Sequence, residues 1–295
     1  MSSRFNMRYS DMYKANLIGI IAPIGWSMIP ILFFFLQPFN SIFATALIFL
    51  SFFLIDFVRQ LIFGKIINPF AISIGYYLTG TLGMAIFYIC YFMALTMAPI
   101  IAVFLISYLS GVLKIFYAKL FYNLPIERKH IIAAIFNVSA VILVAINKKS
   151  ESFELEHLWG YLLAFIAANS YALYSVGKKR YNNISIDYIM YSALLSSLIA
   201  FVAYFLLGGN FTVDFSTKQL YLILALSFFP MGYAFLAWNY GLKYGDIRIL
   251  GLFSYIAPVL SIIWLIIFGL EQFNYYILTA IILIISGALS LKIFK

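Results

Sequence analysis

The sequence is short of charge: only 10% of its 295 residues are Asp, Glu, Lys or Arg, where a soluble domain carries about a quarter. It has one cysteine, Cys90, so no internal disulfide forms. Its two histidines, His130 and His157, flank apolar runs and do not cluster. Paired carboxylates, metal-ligand spacing, a nucleophile elbow and a phosphate-binding glycine loop are all missing. These absences exclude a soluble enzyme, a disulfide-stapled secreted domain and a disordered tail. They also predict no cofactor, no metal and no catalytic residue. An integral membrane enzyme would need acidic or histidine clusters at a membrane surface. A channel would need a charged ring or a carbonyl filter. Neither stands out.

What fills the chain is apolar: 65% of residues are hydrophobic and 20% aromatic. A bilayer-spanning helix takes about 20 apolar residues. Reading the runs between charged or turn-rich breaks gives ten spans, at 15–36, 40–58, 70–95, 98–120, 129–146, 158–176, 184–207, 219–242, 247–269 and 272–291. The expected fold is therefore all-α and integral to a membrane, with ten transmembrane helices and only short connectors. Threading ten spans puts 15 of the 19 Lys and Arg on the side of both termini. The opposite side holds only Lys148, Lys149 and Lys218, and Lys114 lies within a span. Cationic loops stay in the cytoplasm, so both termini are expected there. The same sorting accounts for the net charge of +9 without a nucleic acid partner.

The two halves resemble each other. An ungapped shift of 147 residues puts Met84 on Met231, Leu95 on Leu242, Ser107-Tyr108 on Ser254-Tyr255, and Gly111 on Pro258. Five helices per half is odd, so the second copy, 148–295, enters the membrane inverted relative to the first, 1–147. Inverted repeats are a recurring architecture of secondary transporters, with the site near the midplane between the halves.

Polar and aromatic residues inside the spans mark that site. Trp26 sits near the middle of the first span beside Pro23, Gly25 and Pro30, and its indole N–H needs a partner there. Ser107, Ser110, Gly111 and Lys114 recur at i, i+3, i+4 and i+7, on one helix face. Lys114 lies about 9 Å from the inner end of its span at 1.5 Å per residue. It reads equally as a cation for a substrate carboxylate and as a snorkelling lysine. Asn169 falls at the centre of the sixth span, followed by Ser170, Tyr171 and Tyr174. An amide in hydrocarbon must bond a neighbouring helix or a solute. Tyr88, Tyr108 and Tyr255 add hydroxyls, and Asn239 adds a further amide. Trp159, Trp238 and Trp264 lie near span ends, where the interfacial aromatic belt accounts for them, and Trp238 also borders the expected cavity. Gly25, Gly83, Gly111, Pro230 and Pro258 are expected bending points. Asp56 is the only carboxylate well inside a span, so an obvious proton-coupling site is missing.

The stretch Leu17-Ile-Gly-Ile-Ile-Ala-Pro-Ile-Gly-Trp26-Ser27 and the long run Gly232-Tyr-Ala-Phe-Leu-Ala-Trp-Asn239-Tyr-Gly241, continuing through Ser254-Tyr-Ile-Ala-Pro258, carry a family likeness. Glu127 and Glu271, each opening the last helix of a half, add to it. On these residues the chain resembles the drug/metabolite transporter superfamily, its EamA-type ten-helix members, and is similar to the aromatic amino acid exporter branch. The resemblance implies alternating access around a central cavity and export of aromatic amino acids or related metabolites across a bacterial inner membrane. It implies a substrate site drawn from Trp26, Tyr88, Ser107, Tyr108, Ser110, Lys114, Asn169, Tyr171, Trp238, Asn239, Ser254 and Tyr255. Tyr171 stands where the branch usually has Trp, and Ser110-Gly111 where it has Trp-Pro, so a wider pocket is expected here. An uptake carrier for a supplied metabolite and a lipid-carrier flippase remain as alternatives. The expected partners are a small-molecule substrate and the lipid bilayer, with the chain acting as a monomer.

Overall fold

A computed structural model describes residues 9–64, 66–145, 155–181, 183–210, 215–245, 250, 253 and 256–293. Among the described residues every regular element is helical and no strand occurs. Six stretches among the described residues are long and apolar enough to cross a membrane: Asp11–Leu36, Ser41–Ile62, Ile74–Met97, Ile100–Tyr122, Ile186–Leu206 and Thr217–Gly241. Ile256–Ile267 and Tyr275–Ser290 are apolar but shorter.

In chain order the helices are α1 (Tyr9–Ser27), α2 (Ile29–Leu36), α3 (Ser41–Ile62), α4 (Ile74–Met97), α5 (Ile100–Tyr108), α6 (Ser110–Tyr122) and α7 (Arg128–Ala145). They continue with α8 (Leu158–Lys178), α9 (Ile189–Leu206), α10 (Thr217–Phe228), α11 (Ala234–Tyr244), α12 (Ile256–Ile267) and α13 (Tyr275–Ile293). The helix expected at 158–176 forms as α8 but is not among the six, because Asn169, Ser170, Tyr171, Tyr174 and Ser175 dilute its apolar content.

Three of the expected spans are interrupted, and two of the interruptions lie at prolines. Pro30 has no N–H for the Trp26 carbonyl, and α1 gives way to α2 at Met28, whose N–H turns back to the Gly25 carbonyl at 3.0 Å. The Ser27 carbonyl at this break accepts from Ser261 Oγ on α12 at 3.0 Å. The fourth span breaks at Leu109, between α5 and α6. In the eighth, Pro230 lies in a π-helical turn, Phe229–Tyr233, that joins α10 to α11. Gly25, Gly111 and Pro230 therefore sit at or beside irregular backbone. Gly83 does not: it lies inside the continuous helix α4.

Packing pairs the helices. α4 lies chiefly against α8, α1 against α11, α3 against α9, and α7 against α13. Secondary contacts join α4 to α9, α10 to α3, α5 and α6 to α8, and α12 to α1. Serines stitch several of these pairs: Ser170 Oγ donates to the Gly83 carbonyl at 2.9 Å and Ser197 Oγ to the Ala46 carbonyl at 2.8 Å. The larger core cluster holds Phe33 stacked on Phe92, centroids 4.1 Å apart, with Phe49, Tyr88, Met231 and Phe235. A second gathers Ile101, Phe104, Ile262, Ile277 and Ile284. Large apolar side chains also stand on the outside, among them Leu78, Leu82 and Ile86 of α4 and Ile131, Ile135 and Ile142 of α7. In lipid such faces cost nothing, which is why these helices are apolar on both sides.

At Gly83 an added Cβ would collide with Tyr174, so the glycine sets the approach of α4 to α8. Nothing lies within 4 Å of a Cβ built on Gly111. Gly83→Val is therefore expected to destabilise the protein by about 1–3 kcal/mol through overpacking. Gly111→Ala should be neutral or stabilising by roughly 0.5 kcal/mol. Thermal unfolding of the purified protein in detergent checks both.

Candidate functional site

The interruptions bring aromatic side chains together. Trp26 is the last residue but one of α1, and Phe235 and Trp238 follow the π-helical turn on α11. The Trp26 ring lies 5.3 Å from that of Trp238 and 5.4 Å from that of Phe235, both tilted. Phe235 meets Tyr88 of α4 edge-on at 6.3 Å, and Tyr88 meets Phe87 at 4.7 Å. Phe87 then meets Tyr171 of α8 at 5.1 Å. Lys114, reaching from α6, holds its ammonium 4.4 Å from the centre of the Tyr171 ring. One chain of rings thus runs from α11 and α1 through α4 to α8 and ends on a cation.

Within this chain Trp26 is an anomaly. Its Nε1 is buried and has no hydrogen-bond partner. An indole N–H shut away from water without an acceptor costs about 1–3 kcal/mol, and native structures rarely leave one so.

Of the residues singled out from the sequence, Trp26, Tyr88, Lys114, Tyr171 and Trp238 lie in this ring chain. Asn169 sits beside it: its Oδ1 accepts from the Tyr117 hydroxyl and its Nδ2 donates to the Phe165 carbonyl, both at 2.8 Å. Tyr108 packs on Phe104 of its own helix at 4.7 Å. Ser107 is buried and bonds the Val103 carbonyl at 2.8 Å, and Ser110 is buried just past the Leu109 break. Asn239 turns to its own helix, donating to the Phe235 carbonyl at 2.8 Å. Ser254 and Tyr255 lie outside the described residues.

Two of the three expected belt tryptophans are used differently. Trp238 packs its tilted ring against Trp26, and Trp264 donates its N–H to Ser27 Oγ at 3.1 Å. Trp159 remains exposed. Sequence reasoning missed Phe87, Phe235 and Tyr117, which carry no signal against so many other rings.

Comparison with known proteins bears on this arrangement. Residues 158–292 match the EamA-like transporter family. The chain is 28% identical over 207 residues to an aromatic amino acid exporter, YddG, of Ancylobacter novellus, covering 70% of this chain and 71% of the relative. It is 34% identical over 101 residues to the Escherichia coli K12 exporter of the same name, covering 34% of this chain and 33% of that one. The second half of the chain is thus similar to the EamA-like transporter family. A solved structure described only as the crystal structure of a protein superposes with a TM-score of 0.76 at 25% identity, covering 94% of this chain and 96% of that one. With its apolar helices and this similarity, the chain is a multi-pass membrane protein.

Several charges away from the ring chain are held in pairs. Asp56 is fully buried and accepts from Arg59 Nε at 2.6 Å and Gln60 Nε2 at 3.1 Å. Arg59 also donates to Asp187, just ahead of α9, at 3.0 Å. At the connectors, the hydrogen bond from Lys129 holds the Glu127 carboxyl below its ordinary range, and burial raises that of Glu271. A groove of 410 Å³ between α6 and α7 is lined mainly by apolar residues, including Ile115, Phe116 and Ile135. No residue of the ring chain lines it.

Arg59→Met leaves the Asp56 charge buried beside Gln60 alone. It should destabilise the protein by about 2 kcal/mol, below the cost at a fully buried pair because Arg59 is 27% exposed. Combining it with Asp56→Asn should recover most of the loss, read as unfolding temperature in detergent.

Proposed function

We propose that this chain is a secondary transporter, not an enzyme. It moves small organic metabolites, amino acids with aromatic or other amphipathic side chains foremost, across a bacterial inner membrane. It works by alternating access, in the direction of export, as a monomer with both termini in the cytoplasm. Its ten helices form two inverted five-helix repeats, 1–147 and 148–295.

The observation that carries this reading is the orphaned Trp26 N–H inside a ring chain that ends on Lys114. Ring faces suit an aromatic or amphipathic solute, the ammonium suits its carboxylate, and the indole N–H waits for an acceptor. Helix pairing supports the repeat. Exchange each expected span with its counterpart in the other half, and α4–α8 becomes α11–α1. In the same exchange α4–α9 becomes α10–α3, while α3–α9 and α7–α13 map onto themselves. Interrupted helices near the middle of the membrane are where transporters of this kind bind their solutes. The two relatives named as aromatic amino acid exporters support the substrate class.

The α6–α7 groove favours one second reading, a lipid-carrier flippase, because it is apolar and stands on the exposed face of both helices. It lies apart from the ring chain, so we rank it second.

Counterflow in proteoliposomes separates the two. The protein should exchange labelled phenylalanine, tyrosine or tryptophan, and Trp26→Ala and Lys114→Met should each slow exchange by about tenfold or more without loss of folded protein. Activity toward a polyprenyl or lipid-linked substrate alone, or full exchange in both variants, would contradict the proposal.

A further inference from the structure

Lys178 ends α8, and among loop cations on the inner side it reads as an ordinary snorkelling lysine. Its surroundings differ from that. Its Nζ donates to the Tyr76 hydroxyl at 2.8 Å and lies 4.2 Å from the centre of the Tyr76 ring and 5.6 Å from that of Tyr174. Tyr76 is only 2% exposed and stands edge-on to Tyr77, Tyr181 and Tyr188. A snorkelling lysine sends its ammonium to water. This one turns it onto a buried ring of the neighbouring helix. Like Lys114, it has no ion-pair partner among the described residues.

The two lysines are connected. Tyr171, Tyr174 and Lys178 recur at i, i+3 and i+7, on one face of α8. From Lys114 the steps are 4.4 Å to the Tyr171 ring, 6.0 Å on to Tyr174 and 5.6 Å on to Lys178. Tyr171 and Lys178 stand about 10 Å apart along the helix axis at 1.5 Å per residue. A ring face is a weaker partner for an ammonium than a carboxylate is, so an arriving carboxylate displaces the tyrosine at either end.

We propose that Lys178, with Tyr76, is a second carboxylate-binding position, inward of the ring chain. An organic carboxylate is taken up at Lys178 and passed along Tyr174 and Tyr171 to Lys114. The direction of this passage rests on the transport reading; the binding does not.

The test is equilibrium binding of labelled phenylacetate and phenethylamine to the purified full-length protein, for wild type, K178M, K178R and K114M. Wild type should bind phenylacetate at both lysines, K114M should keep the binding that depends on Lys178, and K178M should weaken that binding by about tenfold. K178R should retain most of it, and phenethylamine binding should be the same in wild type and K178M. Phenylacetate binding unchanged in K178M overturns the proposal, as does an equal loss of both probes or no phenylacetate binding by wild type. Binding that depends on Lys178 in a protein showing no counterflow upholds this site and removes the transport reading instead.

Discussion

Inside a bilayer no water is present to satisfy a backbone N–H or C=O, and that constraint organises this molecule. A helix satisfies its own groups, so most of the chain is helix. Wherever a helix is interrupted, the freed groups and the side chains beside them must find partners within the protein. At the α1–α2 break the Ser27 carbonyl is taken by Ser261 and the Ser27 hydroxyl by Trp264, so α12 is pinned to the break. At the π-helical turn the chain re-aims α11, which brings Phe235 and Trp238 onto Trp26. The irregular backbone and the ring chain are thus one feature, and the interruptions that weaken the helices also bring the rings together.

Electrostatics divide the molecule in a complementary way. Carboxylates are kept at the edges or neutralised: Asp56 is clamped by Arg59 and Gln60, and Glu127 by Lys129. The interior cations are treated in the opposite manner, since Lys114 and Lys178 rest on tyrosine rings. A cation held by a ring is stabilised only modestly and stays available to a stronger anion.

Much of the fold was legible in the sequence because hydrophobic run length is a strong signal in a membrane protein. Each expected apolar run before the eighth coincides with described helix, and proline and glycine flagged the interruptions at Met28, Leu109 and Phe229–Tyr233. The site was less legible. Trp26 and Lys114 stood out because an indole and an ammonium are costly in hydrocarbon. Phe87 and Phe235 did not, since among 31 phenylalanines no single ring differs from its background. Lys178 was counted with the loop cations because linear position cannot show that its ammonium turns inward. Trp264 was assigned to the interface from its place near a span end, and only the fold reveals Ser27 within its reach. Gly83 looked like a bending point, whereas it serves the close crossing of α4 and α8, a contact between helices far apart in sequence.

In the proposed function an aromatic carboxylate lies along the ring chain, with its ring near Trp26 and Phe235 and its carboxylate toward Lys114. The most direct measurement is a crystal structure of the protein soaked with 4-bromophenylalanine, with the bromine located by anomalous scattering. The account predicts a bromine peak beside Trp26 and Phe235. A peak in the α6–α7 groove, with the ring chain unchanged and unoccupied, would contradict it.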